Sequence, residues 1–335
     1  LLDRYDNRRL VVPAVGLFAF VVLAIQAVGA FTPFLALRAL GGVVGGFVFT
    51  AGANVVGAVF PADRRGFATG IFLTSPPASF ALAHSTSPPL GTAFGPLRVF
   101  LLHAAIAALG TGLFLLAARE PVRSGSTPAP GEFARALGNR SVVLVALSAA
   151  AVYGLYLFLN TWLPTYGTQV LSLPLSAAGL VTAIVPLVGI VARPGGGWLS
   201  GRLGGRRRPV LAGGLGVGLV LMSAIPLAVA LPVFVLLLAA TAFAVQLGTG
   251  LYYVLTRELA SPGTEGTSLT VMTTVAFTGS FLAPLAGGWL IAEYSWTAAF
   301  LAFAALGALG VVVLVPVPEP GSTSPGRAPE SGPGT

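Results

Sequence analysis

Long apolar runs, each closed by a short polar or Gly/Pro-rich knot, repeat along the whole chain. Within a run apolar and polar residues do not alternate, as the strands of an outer-membrane barrel would over about ten residues. A helix of about 20 apolar residues crosses a bilayer. By that measure the pattern predicts ten spanning helices: 10–30, 33–60, 66–90, 97–118, 141–164, 175–200, 208–229, 232–256, 267–291 and 296–317. The third is the most interrupted, by Pro76, Pro77, His84, Pro88 and Pro89. Broken helices persist in a membrane where neighbours satisfy the freed backbone.

Two stretches leave the pattern. Residues 119–140 are polar and rich in Gly, Pro and Ser, which reads as a flexible linker with a short surface helix over 132–137. The tail over 319–335 has the composition of a disordered segment. The expected organisation is a four-helix bundle over 1–118, a cytoplasmic linker over 119–140, a six-helix bundle over 141–318 and the tail.

Composition turns this pattern into a membrane assignment. Charged residues make up 8% of the chain, against about 25% in a soluble domain, so lipid must cover most of the surface. Cysteine is absent, which removes disulfides and thiolate metal sites. The net charge of +8 resembles a nucleic-acid footprint, but all 18 basic residues are Arg and most stand in the knots. If the spans alternate, nearly all the knot arginines fall on one side and only Arg98 lies in the opposite loops. The basic side is then cytoplasmic, with both chain ends inside, and the partner is the bilayer rather than nucleic acid.

The knots also repeat. Residues 1–10 are echoed roughly 198 positions on by 199–208. The second copy, Gly197-Trp198-Leu199-Ser200-Gly201-Arg202-Leu203-Gly204-Gly205-Arg206-Arg207, resembles the Gly-x-Leu-x-Asp-Arg-x-Gly-Arg-Arg loop of the major facilitator superfamily. The first copy keeps the motif's acid and base as Asp3 and Arg4, with Asp6 and Asn7 at its Gly and Arg places. Arg38-Ala39-Leu40-Gly41-Gly42 resembles the family's Arg-x-x-x-Gly signature, and Ser87-Pro88-Pro89-Leu90-Gly91 the Gly/Pro-rich end of its fifth helix. The resemblance implies an all-α polytopic fold of two pseudo-symmetric helix bundles, four plus six helices here. These correspond to helices three to twelve of twelve, the first two being absent from this chain. It also implies a monomeric secondary transporter of the plasma membrane, working by alternating access without a cofactor.

Candidate residues follow from chemistry and resemblance together. Asp3, Arg4, Arg8 and Arg9 in the first knot, with Arg193, Arg202 and Arg206 around the second, are candidate gate residues. In the family the motif's acid contacts neighbouring helix ends and stabilises the outward-open state. Gly201 stands where the second copy would carry that acid, so the gate is expected to be asymmetric. The bland alternative for all of them is a topology anchor. Arg38, His84, Asn54, Tyr153, Tyr156, Asn160, Gln246 and Tyr253 are candidate substrate or coupling groups, being polar or amphipathic on spans that would line a cavity. Snorkelling explains Arg38 otherwise, and hydrogen-bonded packing His84.

No Asp or Glu falls in the middle of any span. Proton-coupled carriers use such a buried carboxylate, so the gap leaves facilitated diffusion or counter-solute exchange open beside H+ coupling. It favours an anion, an organic acid or a neutral hydrophobic compound over an organic cation, in uptake or efflux. No catalytic constellation, P-loop or zinc cluster is visible, which reads as a protein that is not an enzyme. The competing class is a non-transporting membrane protein, a sensor or a decayed carrier fragment.

Overall fold

The computed structural model describes residues 6–61, 68–69, 71–117, 121–122 and 130–320. The chain divides into two compact units, residues 1–127 and 128–335. Unit 1 holds α1 (Asn7–Gln26), α2 (Phe31–Val59), α3 (Ser75–Phe94) and α4 (Pro96–Ala117). Unit 2 holds α5 (Pro130–Gly138), α6 (Arg140–Gln169), α7 (Leu175–Arg202) and α8 (Arg208–Ala224), the last extended by a 3₁₀ turn over Ile225–Leu227. It continues with α9 (Leu231–Leu247), α10 (Thr249–Leu259), α11 (Glu265–Glu293) and α12 (Trp296–Leu314).

Among the described residues nine helical spans are long and apolar enough to cross a bilayer, with α9 and α10 together forming one of them. Helix α3, within the third expected span, has the length but not the composition, because hydroxyls, His84 and four prolines dilute it. Residues 62–67 and 70, at the start of that expected span, lie outside the described residues. The eighth expected span differs from a single helix: it breaks at Gly248, between α9 and α10.

Hydroxyl side chains inside the spans mostly close on their own helix. Ser85, Thr86, Thr182, Thr241 and Thr256 each donate to the carbonyl four residues back. That satisfies a hydroxyl where no water is available.

Unit 2 is built around α6, which packs against α7, α11 and α12. In lipid, helices gain by close packing rather than by escaping water. Accordingly α6 and α11 approach at small residues: a Cβ on Gly279 would collide with the Ala150 carbonyl, and one on Gly287 with the Phe158 ring. Aromatic rings fill the far end, with Phe158 stacked on Phe303 at 4.1 Å and Tyr166 on Phe234 at 5.4 Å. In unit 1, α1 packs on α2 and α4, and α3 on α4. The α3–α4 corner turns at Gly95 with φ +82°.

Candidate functional site

Helix α6 presents Tyr153, Tyr156 and Asn160 at i, i+3 and i+7, which places them along one face. Helix α7 brings Arg193 to this face, its guanidinium carbon 5.7 Å from the Tyr156 ring centre. Pro186 and Pro194 on α7 each remove one helical hydrogen bond. The helix meets the α9–α10 break through two glycines. A Cβ on Gly189 would overlap the Gln246 carboxamide, and one on Gly196 would strike the Leu247 carbonyl.

Gln246 sits between these elements. Its Nε2 donates to Val185 O (2.7 Å) and Ala242 O (3.2 Å), while its Oε1 accepts from Arg193 Nη2 at 3.2 Å. Two carbonyls on one side and a cation on the other allow only one orientation of the amide. Gln246 is 1% exposed and Asn160 2% exposed, whereas Arg193 and Tyr156 are half-buried and reach the unit's surface. Asn160 Nδ2 donates back to Tyr156 O at 2.8 Å. Beside them the hydroxyls of Tyr153 and Tyr253 are 3.0 Å apart, joining α6 to α10.

Of the sequence-predicted substrate residues, the structure thus brings Tyr156 and Gln246 together through Arg193, a residue expected at the gate, with Asn160, Tyr153 and Tyr253 adjoining. The other three are dispersed in unit 1. Arg38 and Asn54 stand 16 positions apart on α2, about 24 Å at the helical rise. His84 stacks on Phe80 at 6.1 Å. Arg38 is exposed on a mostly apolar groove of about 410 Å³ that also takes in Ser87 and His103. Tyr252 and Trp162 are amphipathic span residues of the same kind, but they close on the protein: the Tyr252 hydroxyl lies 2.7 Å from Ser148 Oγ in the core, and the Trp162 indole donates to Pro284 O at 3.0 Å. Among the described residues no group of His, Asp or Glu is arranged to hold a metal.

In the first knot Asp3 and Arg4 lie outside the described residues. Asp6, which occupies a Gly place in the motif, caps α1 and accepts from Val122 N at 3.0 Å. Asn7 donates two further bonds to Val122 O, from its backbone N–H and its Nδ2, and Arg8 Nη2 donates to Leu115 O at 3.3 Å. Arg9 is solvent-facing, 3.7 Å from the Asp6 carboxylate.

The second knot uses the same device with the acid moved. The Glu319 carboxylate accepts from the backbone N–H groups of Arg207 and Arg208 at the start of α8. Arg208 Nη1 donates to Val315 O (2.9 Å) and Val317 O (2.8 Å), and Arg207 pairs with Glu258 at 2.6 Å. Arg8 to Leu115 and Arg208 to Val315 span the same 107 positions. By contact, then, the copies align at an offset of 200 (208 minus 8), two more than the motif letters suggest. Arg202, meanwhile, stacks on Trp198 at 4.0 Å and Arg206 is exposed.

The profile of the Major Facilitator Superfamily matches the chain over residues 1–276 and again over 205–334. A probable nitrate/nitrite antiporter, NarK1 of Thermus thermophilus, is 30% identical over 224 residues, 62% of this chain and 49% of that protein. A probable nitrate/nitrite transporter, NarK2 of Mycobacterium tuberculosis, is 27% identical over 228 residues, 67% of this chain and 57% of that protein. The chain spans about half the length of the curated relatives it matches. Among solved structures, a peptide transporter crystallised with sulfate superposes with a TM-score of 0.77 at 14% identity, covering 93% of this chain and 80% of that one. That likeness establishes the fold alone.

Proposed function

We propose that this chain, which belongs to the Major Facilitator Superfamily, forms the body of a secondary carrier for a small planar oxyanion, with Arg193 as the charge that binds it. The position of Arg193 carries this reading. Among the described residues of unit 2 it alone is a charged group well inside a span, about nine residues (202 minus 193) from the end of α7. A charge at the centre of a spanning helix costs about 2.5–3.5 kcal/mol on insertion scales, and such residues generally serve transport.

Two of its partners, the Gln246 carboxamide and the Tyr156 ring, are neutral. They orient the guanidinium without adding negative charge. Its planar fork suits a planar oxyanion such as nitrate or nitrite, and two relatives whose names carry those ions support the class. Transport proceeds by alternating access, the bundles rocking so that the site opens to each side in turn. Exchange for a second anion supplies the drive, since no span carries an acid at its middle. Nothing in this cycle makes or breaks a covalent bond, so the protein acts as a carrier and not as an enzyme. It works as a monomer in the plasma membrane with the arginine knots in the cytoplasm.

The test is uptake of ¹⁵N-nitrate into nitrite-loaded proteoliposomes containing the full natural protein. Arg193→Gln is expected to lower kcat/KM at least 100-fold, about 2.7 kcal/mol, with Arg193→Lys recovering part of it. Uptake by Arg193→Gln at the parent rate removes Arg193 from the site. A parent protein without nitrate or nitrite flux removes this substrate class.

A further inference from the structure

Gln246 is the residue in this cluster whose every polar atom is assigned. Its Nε2 is held by two carbonyls, Val185 O on α7 and Ala242 O on its own helix, at 2.7 and 3.2 Å. Its Oε1 therefore has to face the one donor on the other side, Arg193 Nη2. The seat is closed from behind by Gly189, where even a methyl group would overlap the carboxamide. The side chain is 1% exposed, so it offers no surface to a solute. Yet it is polar, buried in the membrane-spanning part of the chain and placed at the end of α9, where the span breaks. A hydrogen bond made only to stabilise the fold has no reason to end on the one mid-span cation among the described residues of unit 2.

We infer that Gln246 is a positioning and charge-selecting residue, which fixes the Arg193 guanidinium for an anion while contributing no charge of its own. The inference rests on the reading of Arg193 as the anion-binding group. Its physical content is the contrast between a carboxamide and a carboxylate of the same shape. Both accept from a guanidinium. Only the carboxylate neutralises it, and in this seat its second oxygen would also face two carbonyls where the amide N–H₂ now donates. Gln therefore permits a net attraction for a negatively charged solute that Glu would remove. Exchange between the two states of the carrier keeps this arrangement intact, because all four participating groups lie within unit 2.

The experiment uses the full natural protein in proteoliposomes with nitrate as the probe, measured at pH 8. Gln246→Leu removes the acceptor: KM for nitrate is expected to rise about tenfold with kcat within twofold, the pattern of lost ground-state positioning. Gln246→Glu is expected to fall at least 30-fold below the parent at pH 8. It should also fall at least threefold below Gln246→Leu, because a fixed negative charge opposes an anion more than a missing acceptor does. Gly189→Ala, which disturbs the seat without altering charge, is expected to raise KM without the further loss of Gln246→Glu.

Uptake by Gln246→Glu no lower than by Gln246→Leu overturns the inference. So does a Gln246→Leu variant that loses kcat and keeps KM. Arg193→Gln run in parallel separates the two readings. If it transports normally, the anion site itself is wrong. If it is inactive while Gln246→Glu behaves as the parent, only the role of Gln246 falls.

Discussion

At the scale of single residues, the α7 glycines show how much a hydrogen atom in place of a methyl group can decide. Gly196 lies against the Leu247 carbonyl, which is backbone and cannot swing aside, whereas Gly197 has nothing within 4 Å of a would-be Cβ. Overpacking of this kind costs about 1–3 kcal/mol. Replacing a helical glycine by alanine in open space gains about 0.5–1 kcal/mol. Gly196→Ala is therefore expected to lower the thermal midpoint of the purified protein in detergent by about 2–12 °C, using the slope for a domain of this size. Gly197→Ala should leave the midpoint unchanged or raise it slightly. Equal midpoints in the two variants would contradict the close approach of α7 to α9. The sequence shows three glycines in a row, Gly195-Gly196-Gly197, but which of them carries the contact depends on the rotation of α7 against another helix. For the same reason Arg193, Tyr156 and Gln246 are legible as polar residues on spans, while their meeting at one point is not.

Among elements, the two knots share a device that their letters conceal. In each unit the start of the helix following the knot is tied to a segment beyond the unit's last helix, and an arginine of its first turn reaches a carbonyl 107 positions further on. The carboxylate belongs to the knot in unit 1, as Asp6, and to the far segment in unit 2, as Glu319. A motif search scores only letters within the loop, so it reads Gly201 as a missing acid. It cannot see that an acid arrives from 112 positions away in sequence. A carboxylate at a helix start contributes about 0.5–2 kcal/mol through its hydrogen bonds and the helix dipole. Glu319→Gln is expected to lower the thermal midpoint by about 1–8 °C, and Glu319→Ala by no less. A midpoint unaltered in both would mean that this cap contributes nothing to α8. The span periodicities, by contrast, read well from sequence, because about 20 apolar residues in a row have few other homes. The break at Gly248 did not read, since a run stays apolar whether or not its helix bends.

For the whole molecule, the expected orientation in the bilayer follows from the arginine knots, and the sequence offers a clean way to measure it. The chain contains no cysteine, so single cysteines report position without background. In unit 2, Arg206 is exposed before α8 and Val229 is 99% exposed after it. The 20 residues of Arg208–Leu227 separate them by about 30 Å, the thickness of the hydrocarbon core. In unit 1, the Arg9 side chain is 85% exposed near the start of α1, and Gly29 is exposed beyond its end. By the arginine bias both knots are expected in the cytoplasm. A membrane-impermeant maleimide applied to right-side-out vesicles is therefore expected to label Val229→Cys and Gly29→Cys. Arg206→Cys and Arg9→Cys should react only after the membrane is opened. Each unit is thereby read independently of the other. Reversed labelling in both units would invert the topology and place the start of α8 outside. Opposite labelling in the two units would mean that the repeated knots, alike in sequence and in contacts, stand on different sides of the membrane, and parallel bundles of one family fold would no longer describe the chain.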